Sequence, residues 1–217
     1  MRALWAALKE LVIVLTIALV ISSLVRAFLF QAFYVPSASM EDTLQLQDRI
    51  IASKIGKLYS PIERGDIVVF RDPGGWLPDL AGSANPLVRG LIFVGLLPSD
   101  DGKDLVKRVV AVGGDNVVCC DPLGKIIVNG IALNEDYLKV DTSTDQVEFS
   151  IDVPKDRYFV LGDNRPNSRD SRYHLETAYG TIPDSHIVGK VSLRIWPYDR
   201  IARLRPPEIF TNISNNN

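Results

Sequence analysis

Hydrophobic positions along the chain fall into two patterns, one continuous and one interrupted. The continuous one is LVIVLTIALVISSLV, Leu11 to Val25, which carries no charge and after Arg26 stays apolar through Phe30. Crossing the hydrocarbon core takes about 20 apolar residues as helix, and an arginine near the end of such a run snorkels to the interface. The stretch therefore predicts one transmembrane helix over residues 9–30 behind a short N-terminal segment, 1–8. A cleaved secretory signal has a similar core, but it ends in a small-x-small site, whereas Val25, Arg26, Ala27, Phe28, Leu29 and Phe30 stand here. The uncleaved anchor is the better reading. Arg2 and Lys9 precede the helix and Arg26 alone closes it, which by the positive-inside rule puts the N-terminus in the cytoplasm and the domain outside.

The interrupted pattern begins after residue 44. Short β-branched runs, DRIIASKI, GDIVVF, LVKRVVAV, GKIIVNG, RYFVLGD and GKVSLRIWP, are separated by Gly, Pro and Asp turns. Runs of that length and punctuation predict a mostly β, antiparallel-sheet domain, here over residues 31–205, with no internal repeat and no sustained helical period. Two stretches differ in character. PLVRGLIFVGLLP, Pro86 to Pro98, lies in a Gly- and Pro-rich segment between Arg71 and Asp104, is too short to span a bilayer, and reads either as a buried segment or as a shallow contact with lipid. Residues 206–217, closing in TNISNNN, read as a flexible polar tail.

Composition narrows the function more than the fold. An apolar fraction of 47% in 217 residues suffices for one packed domain behind an anchor. With 24 basic against 26 acidic residues there is no basic excess or stripe, which excludes a nucleic-acid surface. Cys119 and Cys120 are neighbours, able to bridge only through a strained small ring and unable to complete a zinc tetrahedron. They read as buried small hydrophobes, with a redox-sensitive pair as the alternative.

Candidate chemistry starts at YVPSASMEDTL, Tyr34 to Leu44, where Ser37 and Ser39 flank one alanine. Ser39-Met40-Glu41-Asp42 fits a helix-capping pattern, so on these residues alone the serine reads as a cap. A nucleophilic serine needs a base to take its proton. As a strand, LVKRVVAV puts Leu105, Lys107, Val109 and Ala111 on one face and Val106, Arg108, Val110 and Val112 on the other. Each face then holds one cation among aliphatics, and charged groups are rarely buried unpaired. Arginine keeps its proton, whereas desolvation disfavours an ammonium, so a buried Lys107 is a candidate general base. A lysine snorkelling at a strand edge is the alternative. His174 and His186 lie in polar, loop-like surroundings and read as surface residues rather than as parts of a Ser-His-Asp triad.

Three segments, PSASMEDTL, LVKRVVAVGGD and YFVLGDNRPNSRDSR, stand in that order behind the membrane segment, with GDIVVF between the first two. Together they resemble the sequence boxes of the bacterial type I signal peptidases, membrane-anchored serine endopeptidases that remove signal peptides from exported preproteins. The resemblance runs from the anchor to Trp196 and implies a mostly β fold with a Ser-Lys dyad. By position, Ser39 matches the nucleophile and Lys107 the general base. Ser37 matches the serine whose hydroxyl, with the backbone N–H of Ser39, forms the oxyanion hole. Ser168 matches a serine that orients the lysine by a hydrogen bond, and Asp163, Asp170 and Arg172 match supporting residues. The same resemblance implies cleavage after small residues of the Ala-x-Ala type, without metal or other cofactor, at the plasma membrane. Signal peptides and membrane lipid would be its partners, with no obligate protein partner.

At two points the chain departs from that pattern, one being the Gly- and Pro-rich segment between GDIVVF and LVKRVV, whose role the resemblance does not define. The family box commonly reads Met-x-Pro-Thr-Leu, and here it is Met40-Glu41-Asp42-Thr43-Leu44, an acid in place of a rigid proline, which leaves the loop geometry open. Two other functions share part of the constellation. A self-cleaving Ser-Lys protease of the DNA-damage repressor kind carries a DNA-binding module where this chain has an apolar helix. A membrane-tethered assembly factor built on a dead peptidase domain would lack the serine or the lysine, and both are present.

Overall fold

The long apolar block folds as one helix, α1 (Arg2–Phe28), whose 27 residues would reach about 40 Å at 1.5 Å per residue. Its stretch Leu4–Val25 has a mean hydropathy of 2.3 and leaves its apolar side chains uncovered, as a membrane-crossing segment would. The helix starts earlier than the anchor expected over 9–30, because Trp5, Ala6, Ala7 and Leu8 continue it toward the N-terminus. It also ends sooner: Leu29 turns out of it and Phe30 opens the first strand. This computed structural model describes residues 2–55, 60–77, 85–87, 90, 103–139, 143–144 and 147–213. Most of PLVRGLIFVGLLP therefore lies outside the described residues.

The rest is built of antiparallel strands, in agreement with the β-branched runs. In chain order they are β1 (Phe30–Tyr34), β2 (Arg49–Ser53), β3 (Ile67–Arg71), β4 (Asp104–Val112), β5 (Asn116–Cys119), β6 (Ile126–Val128), β7 (Ile131–Ala132), β8 (Phe149–Asp152), β9 (Arg157–Leu161), β10 (Ile182–Pro183), β11 (Ile187–Trp196) and β12 (Ala202–Arg203). The larger sheet runs β1-β2-β11-β3-β4-β9-β10, with β12 added to β11, and the smaller runs β7-β6-β5-β8. Each of the six runs read from the sequence becomes a strand. Missing from that reading were β1, which follows the helix without punctuation, and the short β5, β7, β8, β10 and β12.

Burial explains why GDIVVF lacks polar alternation. In β3, Ile67 and Val69 pack into one core cluster with Phe33, Leu44 and Ile50, while Val68 and Phe70 pack into another with Leu105, Val109 and Val160. A strand covered on both faces is apolar throughout, and each such side chain contributes about 1.5–3 kcal/mol by leaving water. β4 sits next to β3 with Val68 opposite Lys107 and Ile67 opposite Arg108, so both cations lie within this double layer. The simple two-face alternation expected for β4 fails after Val109, where the pairing with β9 shifts register. That bulge sends Ala111 with Val110 into the third cluster, away from Leu105 and Val109.

Two further expectations are corrected. Residues 208–213 are not a loose tail: Glu208–Asn212 forms a 3-10 turn, and Phe210 and Ile213 are buried in the cluster under the smaller sheet. Phe210 has its place because Gly65 opposite it has no side chain; a Cβ there would stand 2.7 Å from the ring. Cys119 and Cys120 are joined to each other by a disulfide, rather than lying as two separate buried thiols.

Candidate active site

The stretch from Ser37 to Leu44 leaves β1 through Val35 and Pro36 and folds into one 3-10 turn, Ala38–Met40, anchored by buried Met40 and Leu44. Ser37 takes the N-cap position, but its side chain makes no cap bond. Ser39, read as a cap on local pattern alone, lies inside the turn with 6% of its surface exposed. Its hydroxyl is met from across the fold by Lys107, whose Nζ donates to Ser39 Oγ at 2.6 Å and to the carbonyl of Val106 at 3.1 Å. Ser37 Oγ stands 3.2 Å from Ser39 Oγ. The three sequence-selected groups are thus brought into one cluster.

Lys107 is 3% exposed, which rules out the snorkelling alternative. Burial pushes its ammonium down to about 8, against the pull of Asp170 and Asp163, whose negative charges favour the protonated form. Both carboxylates are occupied by arginines. Asp163 accepts from Arg108 Nε at 2.9 Å and Nη2 at 2.6 Å, and also from Thr43 Oγ1 at 2.6 Å, which pins the end of the serine loop. Asp170 accepts from Arg172 Nε at 2.8 Å and Nη2 at 2.9 Å, and from the backbone N–H of Gly162 at 3.0 Å. These bidentate pairs give each carboxylate an arginine partner and so fix the backbone segments that carry them.

Ser168 is placed beside this cluster but not bonded to it. Its hydroxyl is buried without a hydrogen-bond partner, and the bond to Lys107 expected of it is not made. The lysine spends two N–H groups on Ser39 and Val106. Gly162 is what lets these parts approach. A Cβ on it would fall 2.2 Å from Ser168 Oγ and 2.4 Å from the carbonyl oxygen of Ser39, so no larger residue fits there without moving the serine turn.

Several residues at the site were not singled out from the sequence. Asn164 donates its backbone N–H to Ser39 O at 3.1 Å and its side-chain amide to Ala38 O at 3.0 Å. Arg108 also stacks on the Tyr137 ring, 4.2 Å from its centroid, and Tyr137 donates to Glu135, which is paired in turn with buried Arg165. That chain ties the segment after β7 to the strand bearing Lys107. Asp42, where the resembling box has proline, adopts φ 74, a backbone that proline's ring excludes, so the loop here is built differently. His174 is not an ordinary surface residue: it stacks on Trp76 at 4.4 Å and 8°, and burial lowers its pKa, helped by Arg169.

Comparison with known proteins adds independent findings. The sequence profile of the family described as "Signal peptidase, peptidase S26" matches residues 8–196. A probable signal peptidase I of Mycobacterium leprae is 36% identical over 90% of this chain and 78% of its own length. Signal peptidase I P of Bacillus subtilis subsp. natto is 33% identical, covering 87% and 89%. Signal peptidase IB of Staphylococcus aureus is 31% identical, covering 93% and 96%. Among solved structures, a signal peptidase I from Enterococcus faecalis V583 is 26% identical, covering 60% of this chain and 97% of its own, with a TM-score of 0.39.

Proposed function

The chain belongs to the peptidase S26 family of signal peptidases, serine peptidases that cleave signal peptides from preproteins, and we propose that it works through a Ser39-Lys107 dyad. The observation that carries this reading is the 2.6 Å contact between Lys107 Nζ and Ser39 Oγ inside a buried site. With the amine at about 8, roughly one lysine in ten is neutral at pH 7, a far larger share than at the ordinary 10.5. The lone pair of that neutral amine takes the Ser39 proton as Oγ attacks the scissile carbonyl. Reversal of this hydrogen bond frees one N–H of the lysine, and the unpartnered Ser168 hydroxyl is the group to accept it. Negative charge develops on the attacked oxygen, where the Ser39 N–H and the Ser37 hydroxyl are the donors that stabilise it. Lys107 then hands its proton to the leaving amine, and a water repeats the sequence to release the acyl group. Asp163, Asp170 and Arg172 hold the backbone segments around the dyad.

The substrate side of the proposal is a signal peptide ending in small residues of the Ala-x-Ala type. Helix α1 is the membrane anchor, inserted with Arg2 and Lys9 on the cytoplasmic side so that the β domain acts outside. The test is cleavage of a preprotein by the detergent-solubilised full chain. Ser39→Ala and Lys107→Ala should each abolish cleavage while the protein still folds and inserts, and near-normal turnover by either would sink the dyad. In spheroplasts, added protease should digest the domain after residue 31; protection of the whole domain would reverse the orientation.

A further inference from the structure

Glu41 follows the serine turn directly, and its carboxylate is held from two sides. Oε2 accepts from Lys139 Nζ at 2.7 Å and from Asn164 Nδ2 at 3.1 Å, and the same Asn164 amide also holds Ala38 O. The next residue, Asp42, has an exposed side chain and the left-handed φ of 74 that non-glycine residues rarely take. Aspartate is among the few non-glycine residues that tolerate this backbone, and contacts from elsewhere fix the exit of the turn. One is Thr43 with Asp163. Others are Asn164 on Glu41, Arg194 Nη1 on the Thr43 carbonyl at 2.7 Å, and Lys139, in the segment between β7 and β8 of the smaller sheet. That segment is docked on the site already, by Tyr137 under Arg108 and by the Lys139 N–H directed at Asp163 O at 3.4 Å.

We infer that Lys139 is a positioning residue for cleavage: paired with Glu41, it latches the smaller sheet onto the Ser39 turn and sets Ser39 Oγ against Lys107 Nζ. The hydrogen bond to Glu41 raises the Lys139 pKa, in keeping with an ammonium engaged in the pair. The inference rests on Ser39 and Lys107 being the dyad. A looser turn places Oγ correctly less often, which lowers kcat, while surfaces that bind substrate elsewhere are untouched, so KM stays. The pair's side chains are 44% and 27% exposed, so salt weakens it, whereas the buried Arg108–Asp163 pair is shielded.

The experiment measures kcat and KM of the full chain on a preprotein for Lys139→Gln, Glu41→Gln, the double variant and Lys139→Arg. Each Gln variant should lose roughly two- to fivefold in kcat with KM unchanged, the range expected of a partly exposed ion pair. The double variant should be no worse than the lower single, and Lys139→Arg should match wild type. Raising salt from about 0.05 M to about 1 M should bring wild-type kcat toward that of Lys139→Gln and leave the variant's own value flat. Wild-type kcat in Lys139→Gln, losses that multiply in the double variant, or an effect on KM alone would overturn the latch and leave the dyad standing. Cleavage that survives Ser39→Ala would instead overturn the dyad reading, and the latch with it.

Discussion

Replacing Lys107 by methionine should inactivate the protein and stabilise it at neutral pH. At pH 7 most of the wild-type lysine is protonated inside a dry site, and the drop from the ordinary 10.5 to about 8 sets that penalty at about 3 kcal/mol, at 1.36 kcal/mol per unit. The folded pKa lies below the unfolded one, so between about 8 and 10.5 the unfolded chain holds more protons and stability rises with pH. The penalty is fully present below about 8 and gone above 10.5. Methionine has similar length and no charge to desolvate, but it gives up the bonds to Ser39 Oγ and Val106 O, which contribute about 1–2 kcal/mol together. The net at pH 7 is a gain of about 1–2 kcal/mol, or a Tm higher by about 2–8 °C for a chain of this size. At pH 10.5 and above the wild-type amine is neutral and keeps its bonds, so the order should reverse. Equilibrium melts of both proteins across this range, taken as a difference, cancel the titration of groups common to both, such as Tyr158, pushed well up by burial beside Asp184. A difference that does not change with pH, or a wild type already the more stable at pH 7, would refute the argument that Lys107 enters the fold as a desolvated cation.

The rate should carry the same signature. kcat/KM is expected to rise about tenfold per unit up to a midpoint near about 8 and then level, and Lys107→Arg should be as inactive as Lys107→Ala; a histidine-like midpoint that disappears in His174→Ala would count against the dyad. Gly162→Ala should keep the fold but cut kcat by roughly tenfold or more, because the new methyl meets Ser39 O and Ser168 Oγ well inside contact distance and displaces the serine turn; wild-type activity in that variant would mean the turn has room to move.

What could be read in the chain was whatever repeats locally or carries charge in an apolar run. The β-branched runs became strands because burial on two faces of one sheet demands continuous apolar sequence, and Lys107 drew notice because a cation in such a run requires a reason. The reason itself is not local. Ser39 stands 68 residues from Lys107, Asp163 stands 55 from Arg108, and Glu41 stands 98 from Lys139. No periodicity links such positions, so the resemblance to signal peptidases was needed to join the first pair, and it was silent on the last. The bulge after Val109 was equally invisible, since Val110 and Ala111 suit either face of a strand and only the register with β9 decides between them. Gly162 shows the same limit from the other side. In RYFVLGD it reads as the glycine of a turn, yet it lacks a positive φ and is needed for the space above it. A glycine that serves a turn and one that admits a neighbour look alike in sequence, and only the approach of Ser39 and Ser168 to its Cα tells them apart. The placing of the Ser39 turn thus depends most on the contacts that sequence reports least, which is why substitutions at Gly162 and Lys139, neither of them a reacting group, test that placing while substitutions in the dyad test the chemistry.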